Sequence, residues 1–178
     1  MKRIFRRVAL VAMVLGFAGV QAASAAEERT VAAAAAWVSE GRFFLTGENE
    51  ALFVGVLGGV LYVENAEGRL DQAAIICPGD FVIDLNSGAQ EGEGKCIIED
   101  KDGDNVFANW ICLGQNFVGC AGEFVVTAGT GKFQGITGRS DLVARTAFSG
   151  IVVDLKRDIV TEASTGMFTL PRLTYTLP

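Results

Sequence analysis

Histidine is absent from the 178 residues of this chain. Ser-His-Asp and Cys-His nucleophilic mechanisms, histidine-ligated zinc and imidazole acid–base catalysis all require that side chain. Any catalysis would have to rely on carboxylates, lysine, tyrosine or backbone amides. The sequence therefore favours a protein that is not an enzyme, with a buried-carboxylate enzyme as the alternative.

Basic side chains are scarce beyond the start of the chain. A basic segment over residues 2–7 precedes an apolar run over residues 8–20, and small residues follow at 23–25. This order is typical of a secretory signal peptide, and the apolar run is short for a membrane span. We predict a signal peptide over residues 1–26, a single domain over residues 27–178, and a periplasmic or secreted location.

The mature chain would be strongly acidic. Four of the 15 basic residues and none of the 21 acidic ones lie in the predicted signal peptide, which leaves 11 basic groups, 21 acidic groups and a net charge of −10. Such a surface repels phosphate backbones and anionic headgroups. We expect no nucleic-acid partner and no membrane insertion after signal cleavage. The composition leaves the oligomeric state open.

The cysteines show none of the close pairs that zinc ribbons use. An even number of cysteines in an exported chain indicates two disulfides. The four residues are Cys77, Cys96, Cys112 and Cys120.

Hairpin geometry predicts how these cysteines pair. A turn at residues 85–88 would set Asp84 opposite Ala89 and, continuing backwards in register, Cys77 opposite Cys96. Residues directly opposite each other have Cα atoms about 4.5 to 5.5 Å apart, which a disulfide can bridge.

The same construction around Asn116 sets Cys112 opposite Cys120. A Cys96 to Cys112 bridge fits worse. A tight turn at Asp102-Gly103 would put Cys96 opposite Ala108 or Asn109, several residues away from Cys112. We predict the pairs Cys77–Cys96 and Cys112–Cys120.

The chain contains 22 glycines and only three prolines, with short apolar and β-branched runs between polar turns. This pattern predicts an all-β domain whose strand edges are hidden in a sandwich or closed barrel. Residues 28–40, with alanine throughout 32–36, predict a short N-terminal helical or disordered segment. The predicted strands are residues 41–46, 52–64, 73–77 with 80–85, 95–100, 105–113, 122–128, 141–148, 150–155 and 166–176.

One run is more specific: Gly129-Thr130-Gly131-Lys132-Phe133-Gln134-Gly135-Ile136-Thr137-Gly138. It resembles the glycine-punctuated strand of the allene oxide cyclase-like and dirigent-like β-barrels. The resemblance implies an antiparallel eight-stranded, calycin-like barrel, and we expect Phe133 to pack inward over a glycine on a neighbouring strand. It carries over no catalytic carboxylate, so catalytic and ligand-binding residues stay unassigned.

Asp100, Asp102 and Asp104 place oxygen ligands at alternate positions, as a calcium loop does. The sixth and twelfth positions, where a calcium hand needs glycine and glutamate, are Asn105 and Ile111. We predict a solvated hairpin turn with no metal, and no cofactor elsewhere.

Three functions fit these observations. The first is an exported barrel that binds a small hydrophobic ligand, and we favour it. The second is an isomerase or cyclase that uses a buried carboxylate. The third is a filled barrel with a structural or interaction role.

Overall fold

The computed structural model describes residues 26–66, 68–157 and 159–177, so residues 1–25 of the predicted signal peptide lie outside it. Eight antiparallel strands follow one another around a barrel that closes where β8 pairs with β1. The predicted all-β, eight-stranded antiparallel barrel is confirmed. No helix in the described residues is long and apolar enough to span a membrane. The elements are β1 (Glu27–Leu45), β2 (Glu50–Val63), β3 (Ala73–Asp84), β4 (Ala89–Glu99), β5 (Asn105–Gln115), β6 (Gly119–Gly129), a 3-10 turn (Gly131–Phe133), β7 (Thr137–Asp154) and β8 (Ile159–Leu177).

The N-terminal segment was predicted wrongly. Residues 28–40 belong to β1, which pairs with β2 on one side and with β8 on the other. Ala33 and Ala35 are buried at alternate positions, as in a strand with one face on the core. The helix propensity of alanine is a weak preference, and hydrogen bonding to two neighbouring strands overrides it.

Two strands predicted as broken are continuous. β3 runs through Pro78 and Gly79, although the β3–β4 register has no paired residues at Cys77 and Pro78. Proline has no N–H to donate, so a local gap in the hydrogen bonds between β3 and β4 is expected at this position. The segments 141–148 and 150–155 form the single strand β7, with a register shift between Thr146 and Phe148.

The two ends of the barrel differ. One end, here the plugged end, carries the longer loops, and Leu70, Phe133 and Ile136 from these loops are at most 2% exposed. The opposite end, here the cavity end, carries only short turns. The described residues of the plugged-end loops are 64–66, 68–72, 100–104 and 130–136; those of the cavity-end turns are 46–49, 85–88, 116–118 and 155–157.

Both predicted disulfides are present. Cys77 and Cys96 have Cα atoms 4.1 Å apart. The pairs on either side of them, Ile76 with Ile97 and Gly79 with Gly94, keep the register predicted from the turn at residues 85–88.

Cys112–Cys120 has the predicted connectivity but not the predicted register. Its Cα atoms are 5.5 Å apart, and Cys120 lies opposite Gly114 rather than opposite Cys112. The reason is that Gln115 pairs with Gly119, so the hairpin is centred one residue later than predicted. The bridge is therefore diagonal across the ladder.

Candidate ligand cavity

The cavity end encloses a space of about 130 Å³. Its walls come from inward-facing side chains of all eight strands, and they are mainly aromatic and aliphatic. All four disulfide-bonded cysteines line it as well, so the two bridges form part of the wall. The rings that contribute are Trp37, Phe53, Phe81, Trp110, Phe117, Phe124 and Phe168.

Four rings form a continuous row. Phe53, Phe81 and Trp110 line the cavity wall, and Phe43 extends the row beyond the lining residues. The centroids of Phe43 and Phe53 lie 5.1 Å apart, those of Phe53 and Phe81 lie 6.4 Å apart, and those of Phe81 and Trp110 lie 5.4 Å apart. All three pairs are tilted, within the separations that favourable aromatic pairs adopt. The four rings, Phe43, Phe53, Phe81 and Trp110, are called the aromatic row below.

Inward-facing glycines make room for the aromatic row. A Cβ atom on any of these glycines would meet an aromatic ring of a neighbouring position, so each ring lies flat against bare backbone. This arrangement was not predicted from the sequence. Its signal was present, because Gly41, Gly55 and Gly79 each lie two positions from an aromatic residue of the row, and Gly92 and Gly94 lie two positions apart. Phe53 lies over Gly41 and Gly55, Phe81 over Gly92, and Trp110 over Gly79 and Gly94.

One carboxylate belongs to the cavity wall. Glu162 of β8 is only 8% exposed and is the one charged side chain among the described residues that line the cavity. The Ser149 hydroxyl donates a hydrogen bond of 2.6 Å to Glu162 Oε1. Beside it, the Ser39 and Ser164 hydroxyls are hydrogen-bonded at 2.8 Å. Glu162 was not predicted as a site residue, because an isolated glutamate in a strand belongs to no recognisable motif.

Two further polar groups lie in the wall. The indole nitrogens of Trp37 and Trp110 are buried and have no hydrogen-bond partner among the described residues. A buried donor without a partner costs free energy. The cavity wall is therefore apolar in bulk, with a few polar groups at fixed positions, which is the usual composition of a small-molecule site.

The aspartates of the 100–104 loop lie at the plugged end, away from the cavity. The Lys132 ammonium forms ion pairs with Asp100 and Asp102, and it lies 4.0 Å from Asp104 Oδ2. The protein's own lysine thus supplies the cation for these carboxylates. In the described residues, no cluster of three or more acidic, cysteine or histidine side chains is arranged to hold a metal ion.

The predicted turn at Asp102-Gly103 is correct, but the predicted solvation of the loop is wrong for Asp100. Its side chain is only 3% exposed, and its Oδ1 accepts hydrogen bonds from the backbone N–H groups of Asp102 and Asp104. Burial raises the pKa of Asp100. The hydrogen bonds from Lys132 and these two N–H groups outweigh that effect and hold the pKa below its ordinary value.

The 129–138 run joins the plugged-end loops. It is not one strand, as the resemblance implied, but the end of β6, a 3-10 turn and the start of β7. Gly131 has φ +50 and lies against the Asp104 carboxylate, so a side chain there would clash. Phe133 is 1% exposed, so it is buried as predicted. The glycine beside it is not on a neighbouring strand, because Gly129 lies four residues earlier, at the end of β6, against the backbone oxygen and Cβ atom of Phe133. The run has an architectural role.

Comparisons with known proteins add little. No protein-family model matches the chain, and no curated protein matches it. A solved structure of a pterocarpan synthase dirigent protein is similar over 93% of this chain and 99% of that one, at 12% sequence identity and a TM-score of 0.36. A likeness at that identity and TM-score says nothing about activity.

Proposed function

We propose that this protein is an exported barrel that binds one small apolar molecule in the space at its cavity end. The observation that carries the proposal is the cavity of about 130 Å³ with its aromatic row. An apolar cavity of roughly 150 Å³ is known to hold one benzene molecule. The fitting ligand therefore has a body of about one ring, and long acyl chains are too large.

Tryptophan fluorescence of the protein itself can be used to measure ligand binding. The chain contains two tryptophans, and both line the cavity. Titration with toluene should change the tryptophan fluorescence with saturable one-site behaviour. It should also raise the melting temperature, since a ligand at a hundred times its dissociation constant adds about 2.7 kcal/mol of stability. Dodecanoate serves as the oversized probe and should not saturate the signal.

A matched pair of variants locates the site. Ala144 lines the cavity, and Ala144→Leu should fill it and abolish toluene binding. Ala121 is exposed on the outer face of β6, and Ala121→Leu should leave binding unchanged. Equal effects of the two substitutions, or no saturable binding by the unaltered protein, would contradict the proposal.

Export is the second part of the proposal. Two disulfides support an oxidising compartment, and β1 begins at Glu27, directly after the predicted signal peptide. N-terminal sequencing of protein recovered from the periplasm or medium should give a start near residue 26 or 27. A start at Met1 would contradict it.

An isomerase or cyclase is the second candidate, because Glu162 supplies the cavity carboxylate that such an enzyme would need. An enzyme of this class would convert a ligand that saturates the tryptophan signal. Chromatography of bound ligand after incubation tests this, and recovery of unchanged ligand would exclude catalysis on that compound.

A further inference from the structure

Glu162 has an unusual position for an acidic residue. It is more than nine-tenths buried, and among the described residues its side-chain hydrogen-bond partner is the Ser149 hydroxyl. In the described residues, no lysine or arginine forms an ion pair with it. A buried carboxylate without a cation carries a desolvation cost that one hydroxyl only partly offsets.

Among the described residues, the neighbouring strands β1 and β7 supply no cation that forms an ion pair with Glu162. Gly41 of β1 and Ile151 of β7 lie opposite Glu162. Arg42, next along β1, is exposed and faces the outer surface, because successive side chains of a strand alternate between faces. The carboxylate is left facing a ligand space rather than a protein cation.

One ring of the aromatic row, Phe53, lies over the cross-strand partner of this carboxylate. Phe53 lies over Gly41, and Gly41 is the cross-strand partner of Glu162. Direct cross-strand neighbours have Cα atoms about 4.5 to 5.5 Å apart. Aromatic faces attract cations, and this attraction grows when the site is shielded from water. A carboxylate and a ring face that adjoin in one cavity are complementary to an ammonium group.

We propose that the natural ligand of the cavity is a small apolar amine. Its protonated nitrogen pairs with the Glu162 carboxylate, and its apolar body lies against the aromatic row. This inference rests on the proposed function and narrows it to one chemical class. The same features disfavour anions, because the cavity wall carries a negative charge and the predicted mature chain has a net charge of −10.

Three single-ring probes of similar size test the inference at pH 7: toluene, which is neutral, benzylamine, which is cationic, and benzoate, which is anionic. Tryptophan fluorescence and calorimetry give the three dissociation constants for the unaltered protein. Benzylamine should bind about tenfold tighter than toluene or more, since hydrogen bonds to charged groups contribute about 1.5–3 kcal/mol. Benzoate should bind more weakly than toluene.

A matched pair of substitutions assigns the preference to one carboxylate. Glu162→Gln should weaken benzylamine binding about tenfold and change toluene binding by less than about twofold. Glu123 is exposed on the outer face of β6, and Glu123→Gln should change neither constant.

The possible failures are distinguishable. Equal affinity for toluene and benzylamine, or tighter binding of benzoate, overturns the amine assignment and leaves the proposed function standing. No saturable binding of any probe overturns both. If Glu162→Gln does not fold, the ranking of the three probes by the unaltered protein still decides the assignment.

Discussion

At the plugged end of the barrel, the long loops carry Leu70, Phe133 and Ile136 into the interior, and almost no surface of these side chains remains exposed. At the cavity end, the turns are short, and the interior aromatic rings lie flat on glycines instead of filling the centre. Aromatic and aliphatic side chains occur at both ends of the barrel. The difference is that loop side chains fill the first end, whereas strand side chains, together with Asn116 and Phe117 of one turn, surround the cavity at the second.

The charges at the two ends differ in the same way. At the plugged end, Asp100 and Asp102 are paired with Lys132 of the chain. At the cavity end, Glu162 has a hydroxyl partner and no ion pair among the described residues. The carboxylates at the plugged end are thus paired within the chain, whereas the proposed amine would supply the cation for Glu162 at the cavity end.

The largest expected effect tests the plug. Phe133→Ala should lower the free energy of unfolding by about 3–5 kcal/mol, through lost burial and a cavity in a packed region. Phe148 is 66% exposed near the cavity end, and Phe148→Ala should have a much smaller effect. Urea unfolding measures both. Similar costs for the two substitutions would remove the distinction between the ends.

The disulfides test the stability of the cavity wall. Replacing Cys77 and Cys96 together by serine should cost about 3 kcal/mol, and replacing Cys112 and Cys120 about 2.5 kcal/mol, since the second bridge closes a shorter loop. Urea unfolding of the two double variants gives the values. Non-reducing peptide mapping checks the pairing, and a peptide joining Cys96 to Cys112 would show the connectivity to be wrong.

The sequence predicted those parts of the fold that local chemistry determines. The turn at residues 85–88 fixed the register that brings Cys77 opposite Cys96, because a hairpin register follows from its turn. The predicted register of Cys112 and Cys120 was wrong, because the centre of the turn was placed one residue too early. An error of one residue in the turn centre shifts the residue opposite Cys120 by two positions. The predicted Cys112–Cys120 connectivity was nevertheless correct, because a disulfide can also join two residues that lie diagonally across a pair of strands.

The cavity could not be predicted to the same degree. The alanines of residues 32–36 have helix propensity, and only pairing with β2 and β8 makes them a strand. Glu162, Phe53 and Gly41 become neighbours through β1–β2 and β1–β8 pairing across 12 to 121 residues of chain. No local pattern encodes such contacts, so the site residues stayed unassigned until the register was known.

Acid should act on the plugged end through Asp100. Its folded-state pKa is lowered, so its contribution to stability is present above the unfolded value of about 3.9 and is lost as pH falls through the folded pKa. Melting temperatures of the unaltered protein should fall as the pH is lowered below about 4, and Asp100→Asn should reduce that fall. Asp141→Asn, at an exposed position, is the matched control. An unchanged acid response in Asp100→Asn would contradict the ion-pair role.

The smallest expected effect is that of calcium. The Lys132 ammonium already lies among the carboxylates of the 100–104 loop, and calcium would have to displace it. Ile111 stands where a calcium hand needs its bidentate glutamate, and its side chain is 53% exposed on the outer face of β5. Millimolar calcium or EDTA should therefore shift the melting temperature by no more than about one degree, whereas saturation at a hundred times the dissociation constant would add about 2.7 kcal/mol. A clear rise with calcium would mean that a divalent ion competes with the lysine, and that the plugged end, too, has a site open to a ligand.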